Sequence, residues 1–151
     1  MNESVDKWSS DLAQFVSAAL GEFKMQATEQ MEEFAVDCHP WNGVVVLAFL
    51  TTSEVEESPF LAEVEEMAAW KYYDFASALS CSRPELGSRM REFYEQEGDD
   101  KAKEAERFFV ACAAAVASKP VQDMLSKYKL SKSFKITIPH PDTGKEYYPP
   151  T

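Results

Sequence analysis

Apolar residues recur along this chain with two different periods, and the switches between them mark out its elements. Trp8, Leu12, Phe15, Val16, Ala19 and Phe23 keep a helical spacing, so residues 5 to about 25 read as an amphipathic helix with Ser4 placed to cap it. The run EEFAVDCHPWNGVVVLAFLT changes character: two β-prone stretches flank Asn42-Gly43, the strongest short hairpin signal. Residues 34–41 and 44–51 are therefore expected to pair antiparallel about a two-residue type I′ turn. That register sets Cys38 opposite Leu47, Val36 opposite Phe49 and His39 opposite Val46. Pro40 has no N–H to give a neighbour, so it marks the first strand as an edge or as a strand that stops there. VVVLAFL is apolar on both faces and belongs inside the sheet, with FKITI, residues 134–138, as its expected second neighbour. Asp142-Thr143-Gly144 is good turn chemistry, from which residues 145–148 are expected to return as a short fourth strand.

Between the strands the period is helical again. Ser58-Pro59, followed by Glu63, Glu65 and Glu66, reads as a helix start, with Leu61, Val64, Ala68, Tyr72 and Phe75 keeping the spacing and a loop at WKYYDF as the alternative for its end. Ser82 and Glu85 have capping-box spacing ahead of Leu86, Met90, Phe93 and Tyr94. Gly98 ends that helix and Asp99-Asp100 opens the next, whose second half, FFVACAAAVA, is apolar enough for a central position. Pro120 interrupts it, and Ser118 is placed to cap a further helix carrying Val121, Leu125 and Tyr128. The expected fold is α+β: one domain over residues 1–151, with a small, mainly antiparallel sheet of three or four strands, including the hairpin at 34–51, packed with about five helices.

Composition narrows the setting. With 151 residues and 45% hydrophobic content, the chain is large enough to bury its own core. No apolar run approaches the roughly 20 residues that span a bilayer, and MNESVDKW lacks the layout of a secretory signal, so a cytoplasmic location is expected. Cys38, Cys81 and Cys112 are an odd number at long spacings, which fits reduced thiols. The net charge of −11 is concentrated: residues 31–80 hold ten acidic side chains against one basic. Such a surface repels nucleic acid and anionic membranes and favours a basic protein partner at low salt, or else simply keeps a small cytoplasmic protein soluble.

The stretch DCHPWNG, residues 37–43, carries the densest candidate chemistry. Strand alternation puts Phe34, Val36 and Cys38 on one face and Ala35, Asp37 and His39 on the other. Neighbouring Cys38 and His39 therefore cannot form a thiolate–imidazole pair, and Cys38 reads as a buried small hydrophobe. Asp37 and His39 share a face and suit the roles of orienter and base, but need a distant nucleophile. Cys81, in the polar stretch SCSRP, is the cysteine expected to be exposed, whereas Cys112 lies in an apolar helix. No C-x-x-C or H-x-x-x-H spacing and no clustered glycines occur, so neither a metal nor another cofactor is expected. Trp41 sits at the hairpin tip, placed either to anchor a partner or to fold back over a helix.

PWNGVVVLAFLT and AAWKYYDF cover about a fifth of the chain and resemble segments of small acidic α+β proteins from uncharacterised bacterial families, some regarded as immunity proteins of toxin systems. The resemblance implies a protein that binds a toxin and covers its active site with no chemistry of its own. The resulting expectation is a non-catalytic protein-binding protein that meets a basic partner through Trp41, Glu54, Glu56, Glu57, Glu63 and Glu66. The alternative is a small enzyme or ligand-binding protein with a pocket around Asp37 and His39, with Cys81 as the third group. A concave pocket holding His39 and a second polar group marks the alternative; a flat acidic surface with exposed aromatics marks the first.

Overall fold

The hydrophobic run at 44–51 forms the middle of a four-stranded sheet, and the rest of the chain is arranged around it. The computed structural model describes residues 2–96 and 98–150. In chain order the elements are helix α1 (Asn2–Phe23), strands β1 (Met31–His39) and β2 (Val44–Thr51), and helix α2 (Thr52–Glu57). Strand β3 (Tyr72–Tyr73), helices α3 (Glu85–Gln96), α4 (Lys101–Ala117) and α5 (Lys119–Leu125), and strand β4 (Leu130–Thr137) follow. The sheet order is β3-β2-β1-β4, antiparallel except where β4 runs parallel to β1, so the fold is α+β with a mostly antiparallel mixed sheet. Among the described residues no single helix is long and apolar enough to cross a membrane; α4 and α5 pass such a test only as a pair bent by 61°.

The hairpin forms where expected but in a different register. Phe34 pairs with Phe49, Val36 with Leu47 and His39 with Val44, two residues displaced from the expected alignment. Pro40 is the reason. Its fixed φ suits the second position of a type I turn, and Asn42 N–H bonds the His39 carbonyl at 3.1 Å. Gly43 then closes the loop at φ +67°, which makes a four-residue connection in place of a type I′ turn. A shift of two preserves the faces, so the in-and-out assignments survive.

The neighbours of the hairpin also differ. β1 is no edge strand: it ends before Pro40, as allowed for, but β4 pairs along its outer side. Residues 134–138 thus flank the first strand of the hairpin instead of the second. The partner of β2 is β3, within the stretch expected to be helical. That stretch consists of tight 3-10 turns at Pro59–Ala62, Val64–Ala69 and Phe75–Ala78, with Asp74 in a left-handed conformation between β3 and the last. Residues 145–148 contribute only an isolated bridge, Pro139 to Glu146.

The helical second half follows its end signals. Asp100 caps α4 through the Lys103 N–H, and Gly98 precedes it at φ +64°. The cap at Ser118 differs from expectation: its hydroxyl donates back to the Ala115 carbonyl, and Pro120 in the first turn of α5 makes the break. α3 starts at Glu85 itself, behind Pro84, so Ser82 does not cap it. Ser4 lies inside α1, and its side chain falls outside the described residues.

Each face of the sheet buries a different layer. Phe34, Val36, Cys38, Leu47 and Phe49 face the helices, where Phe49 stacks among Phe75, Tyr128 and Phe34. Trp8 closes this core, donating to the Leu86 carbonyl at 2.8 Å and meeting Phe108 edge-on. On the opposite face Ala35, Ala48 and Leu50 form a shallow bed for Met67 and Trp70 from the 3-10 turns. Trp70 is 3% exposed and donates to the Leu61 carbonyl at 2.7 Å. The acidic segment is therefore a cover clamped over the second face of the sheet, and that placement builds the site.

Candidate functional site

Asp37 and His39 lie on the covered face, beyond the apolar bed. One Asp37 oxygen is 2.9 Å from His39 Nε2, and the other accepts the Tyr73 hydroxyl at 2.6 Å. Strand pairing makes this contact: β3 is only two residues long, yet it sets the Tyr73 ring on the same face as Asp37. Burial pushes the Asp37 carboxyl up, but the hydrogen bonds from His39 and Tyr73 outweigh it and leave the group below the ordinary carboxylate range. The bond to Asp37 raises the His39 imidazole against its own burial, and the charge of Asp142 adds to the effect.

Beside this pair opens a cleft of about 430 Å³. Val64, Met67 and Ala68 wall it on one side, Pro139 and Pro141 on the other, with Asp37 and His39 contributed by the sheet. Glu65 and Asp142 stand across it as its further acidic groups. His140 orders the second wall, its Nδ1 accepting the N–H groups of Asp142 and Thr143.

Cys81 is not part of this arrangement. It packs on the helical side of the sheet, and its thiol is pushed up by burial and by the neighbouring Glu22. The Asp37–His39–Cys81 assembly is therefore not formed. Cys38 and Cys112 are buried and all three cysteines are free. Among the described residues no three His, Cys, Asp or Glu side chains come together in a way that would hold a metal ion.

The docking residues divide. Trp41 is half-buried, its ring held between His39 and His140 at 5.9 Å from each, so it folds back instead of projecting from the hairpin. Glu54 is committed to structure: it completes a capping box with Thr51 and also accepts the Lys71 N–H at 2.8 Å. Glu56, Glu57 and Glu63 are exposed and Glu66 is half-buried. The same segment also exposes groups not among the expected docking residues: Glu65, Phe60 at 55% exposure and Val64 at 37%. Phe60 gave little signal, because a residue behind Ser58-Pro59 reads as the inside of a helix start. Tyr73 was hidden in WKYYDF, where a helical period masked a two-residue strand.

Compared with protein-family models, curated proteins and solved structures, the chain matches none.

Proposed function

We propose that this chain is a non-catalytic protein-binding protein, immunity- or inhibitor-like, that docks on a basic partner through the cover segment at 56–66. The observation that carries the reading is Phe60, a large aromatic more than half exposed in a segment whose Glu56, Glu57, Glu63 and Glu65 are also exposed. Exposed aromatics ringed by polar groups behave as anchors, and a field of one sign steers a partner of the other. Glu56, Glu57, Glu63, Glu65 and Glu66 form no ion pairs among the described residues, so their charge is free to act outward. The three free thiols fit a protein working in the reducing cytoplasm.

The experiment captures a partner on the immobilised protein and measures association kinetics with Glu56, Glu57, Glu63 and Glu66 all changed to lysine. Association is expected to slow at least tenfold at low salt, with the difference shrinking as salt rises, while the melting temperature changes little. A Phe60→Ala variant is expected to dissociate faster. Unchanged rates in both variants overturn the reading.

The cleft supports a second reading, in which a small ligand sits against Asp37 and His39. If His39→Ala abolishes binding or turnover and the charge-reversed protein retains it, this reading replaces the first.

A further inference from the structure

We infer that the cleft between residues 64–68 and 139–144 receives a long cationic side chain, lysine or arginine, from the basic partner; this rests on the docking surface proposed above. Continuity joins the two features. Val64 and Glu65 line the cleft while lying within the exposed cover segment, directly after Glu63 and a few residues from Phe60. A partner seated on Phe60 thus brings its surface to the cleft mouth.

The chemistry of the cleft selects the occupant. His39 in its protonated form offsets the Asp37 carboxylate 2.9 Å away, and in its neutral form it leaves that negative charge in the cleft. In either form the net charge is negative, from Glu65 and Asp142: neither makes a salt bridge within 4 Å among the described residues, although the Asp142 charge is felt by His39. An anionic group entering here would meet two carboxylates. An uncharged polar group would gain little from the walls, which are chiefly Val64, Met67, Ala68, Pro139, Pro141 and Gly144, with the Thr143 hydroxyl already accepting the Lys145 N–H. A flexible hydrocarbon stem ending in a cation satisfies both parts: methylenes against the walls and the head at the carboxylates. The volume of about 430 Å³ leaves room for such a chain with some water.

The test uses the intact protein and defined probes. N-acetyl-lysine-N′-methylamide and its arginine counterpart are titrated into ¹⁵N-labelled protein, with the norleucine and glutamate analogues as uncharged and anionic controls. The expected result is saturable shifts confined to amides of 64–68 and 139–144, from the cationic probes only. The Glu65→Gln, Asp142→Asn double variant, with an otherwise superimposable spectrum, is expected to weaken binding at least fivefold. Shifts caused equally by norleucine, shifts indifferent to the double substitution, or no saturable shift overturn the inference. If the cationic probes fail while charge reversal at 56–66 still slows partner association, the cleft assignment is wrong and the docking surface stands. If the probes bind but charge reversal has no effect on association, the cleft stands without that surface.

Discussion

Glu33 lies at the irregularity in β1, where the register slips against both β2 and β4. It is 2% exposed, and one carboxylate oxygen has no hydrogen-bond partner, the nearest cation being Lys135 at 3.8 Å. Burial raises its pKa from 4.5 to about 7; Lys135 pulls it down, and Glu146 and Glu32 push it further up. Between those values the native state binds more protons than the unfolded chain, so stability falls as pH rises across the window and levels off above it. The full loss is about 3 kcal/mol. Glu33→Gln is expected to be the more stable protein at pH 8, to lose that advantage near pH 4, and to flatten the profile between; urea denaturation along a pH series reads this. Matching profiles would mean that the Glu33 carboxylate is solvated or well paired. His39 carries the same sign for a different reason: the charged form is favoured in the fold, not penalised. Its pairing with Asp37 stabilises the fold at low pH, and the contribution disappears as pH rises through the raised imidazole value. Asp37→Asn is expected to lower the His39 titration midpoint in an NMR pH series. An unmoved midpoint would dissociate the two residues.

At the scale of elements, the hairpin loop and α3 interlock through two glycines. A Cβ on Gly87 would lie 2.0 Å from the Gly43 carbonyl oxygen, and one on Gly43 would meet the Gly87 oxygen at 3.0 Å. Gly87→Ala must separate α3 from the loop, and Gly43→Val adds a left-handed conformation at a β-branched residue. Each is expected to cost about 2 kcal/mol or more, read as a lower denaturant midpoint. A loss below half of that in Gly87→Ala would show that α3 can slide. The Gly43 contact explains part of what the sequence concealed. Alternation along 34–39 and 44–50 was enough to place every side chain on its correct face. The register was not legible, because Pro40 and Asn42-Gly43 each specify a turn and only their combination selects the longer loop. Leu61, Val64 and Ala68 keep a helical period, yet the segment breaks into 3-10 turns. Met67 and Trp70 must reach down onto Ala35 and Ala48, a bed visible only once the strands are paired. The cleft depends on that same cover and on the 139–144 turn, so Asp37 and His39 were readable as a pair while Tyr73, Glu65 and Asp142 were not.

For the molecule as a whole, its thiols report how far the structure opens. Cys81 is half-buried beside Glu22, whereas Cys38 and Cys112 are buried in the main core. Burial raises the Cys38 thiol well above its ordinary value, and Cys112 adds to the shift. Native labelling with a thiol reagent is expected to modify Cys81 first, with Cys38 and Cys112 following only at the rate of global unfolding. Rapid native modification of Cys38 would contradict the core-face assignment. Reaction of Cys38 and Cys112 should accelerate together in denaturant, since both line the same helical layer.

The parallel pairing of β4 with β1 has a consequence in time. β1 and β2 are joined by four residues and have little loop entropy to overcome, but β4 reaches β1 only after roughly ninety intervening residues. During synthesis the hairpin leaves the ribosome long before its outer neighbour. For that interval the free edge of β1, bearing Phe34 and Val36, is open to strands of other nascent chains. Docking of β4 is thus the late step, and Lys132 and Lys135 give the arriving strand the charge that keeps it from pairing with copies of itself.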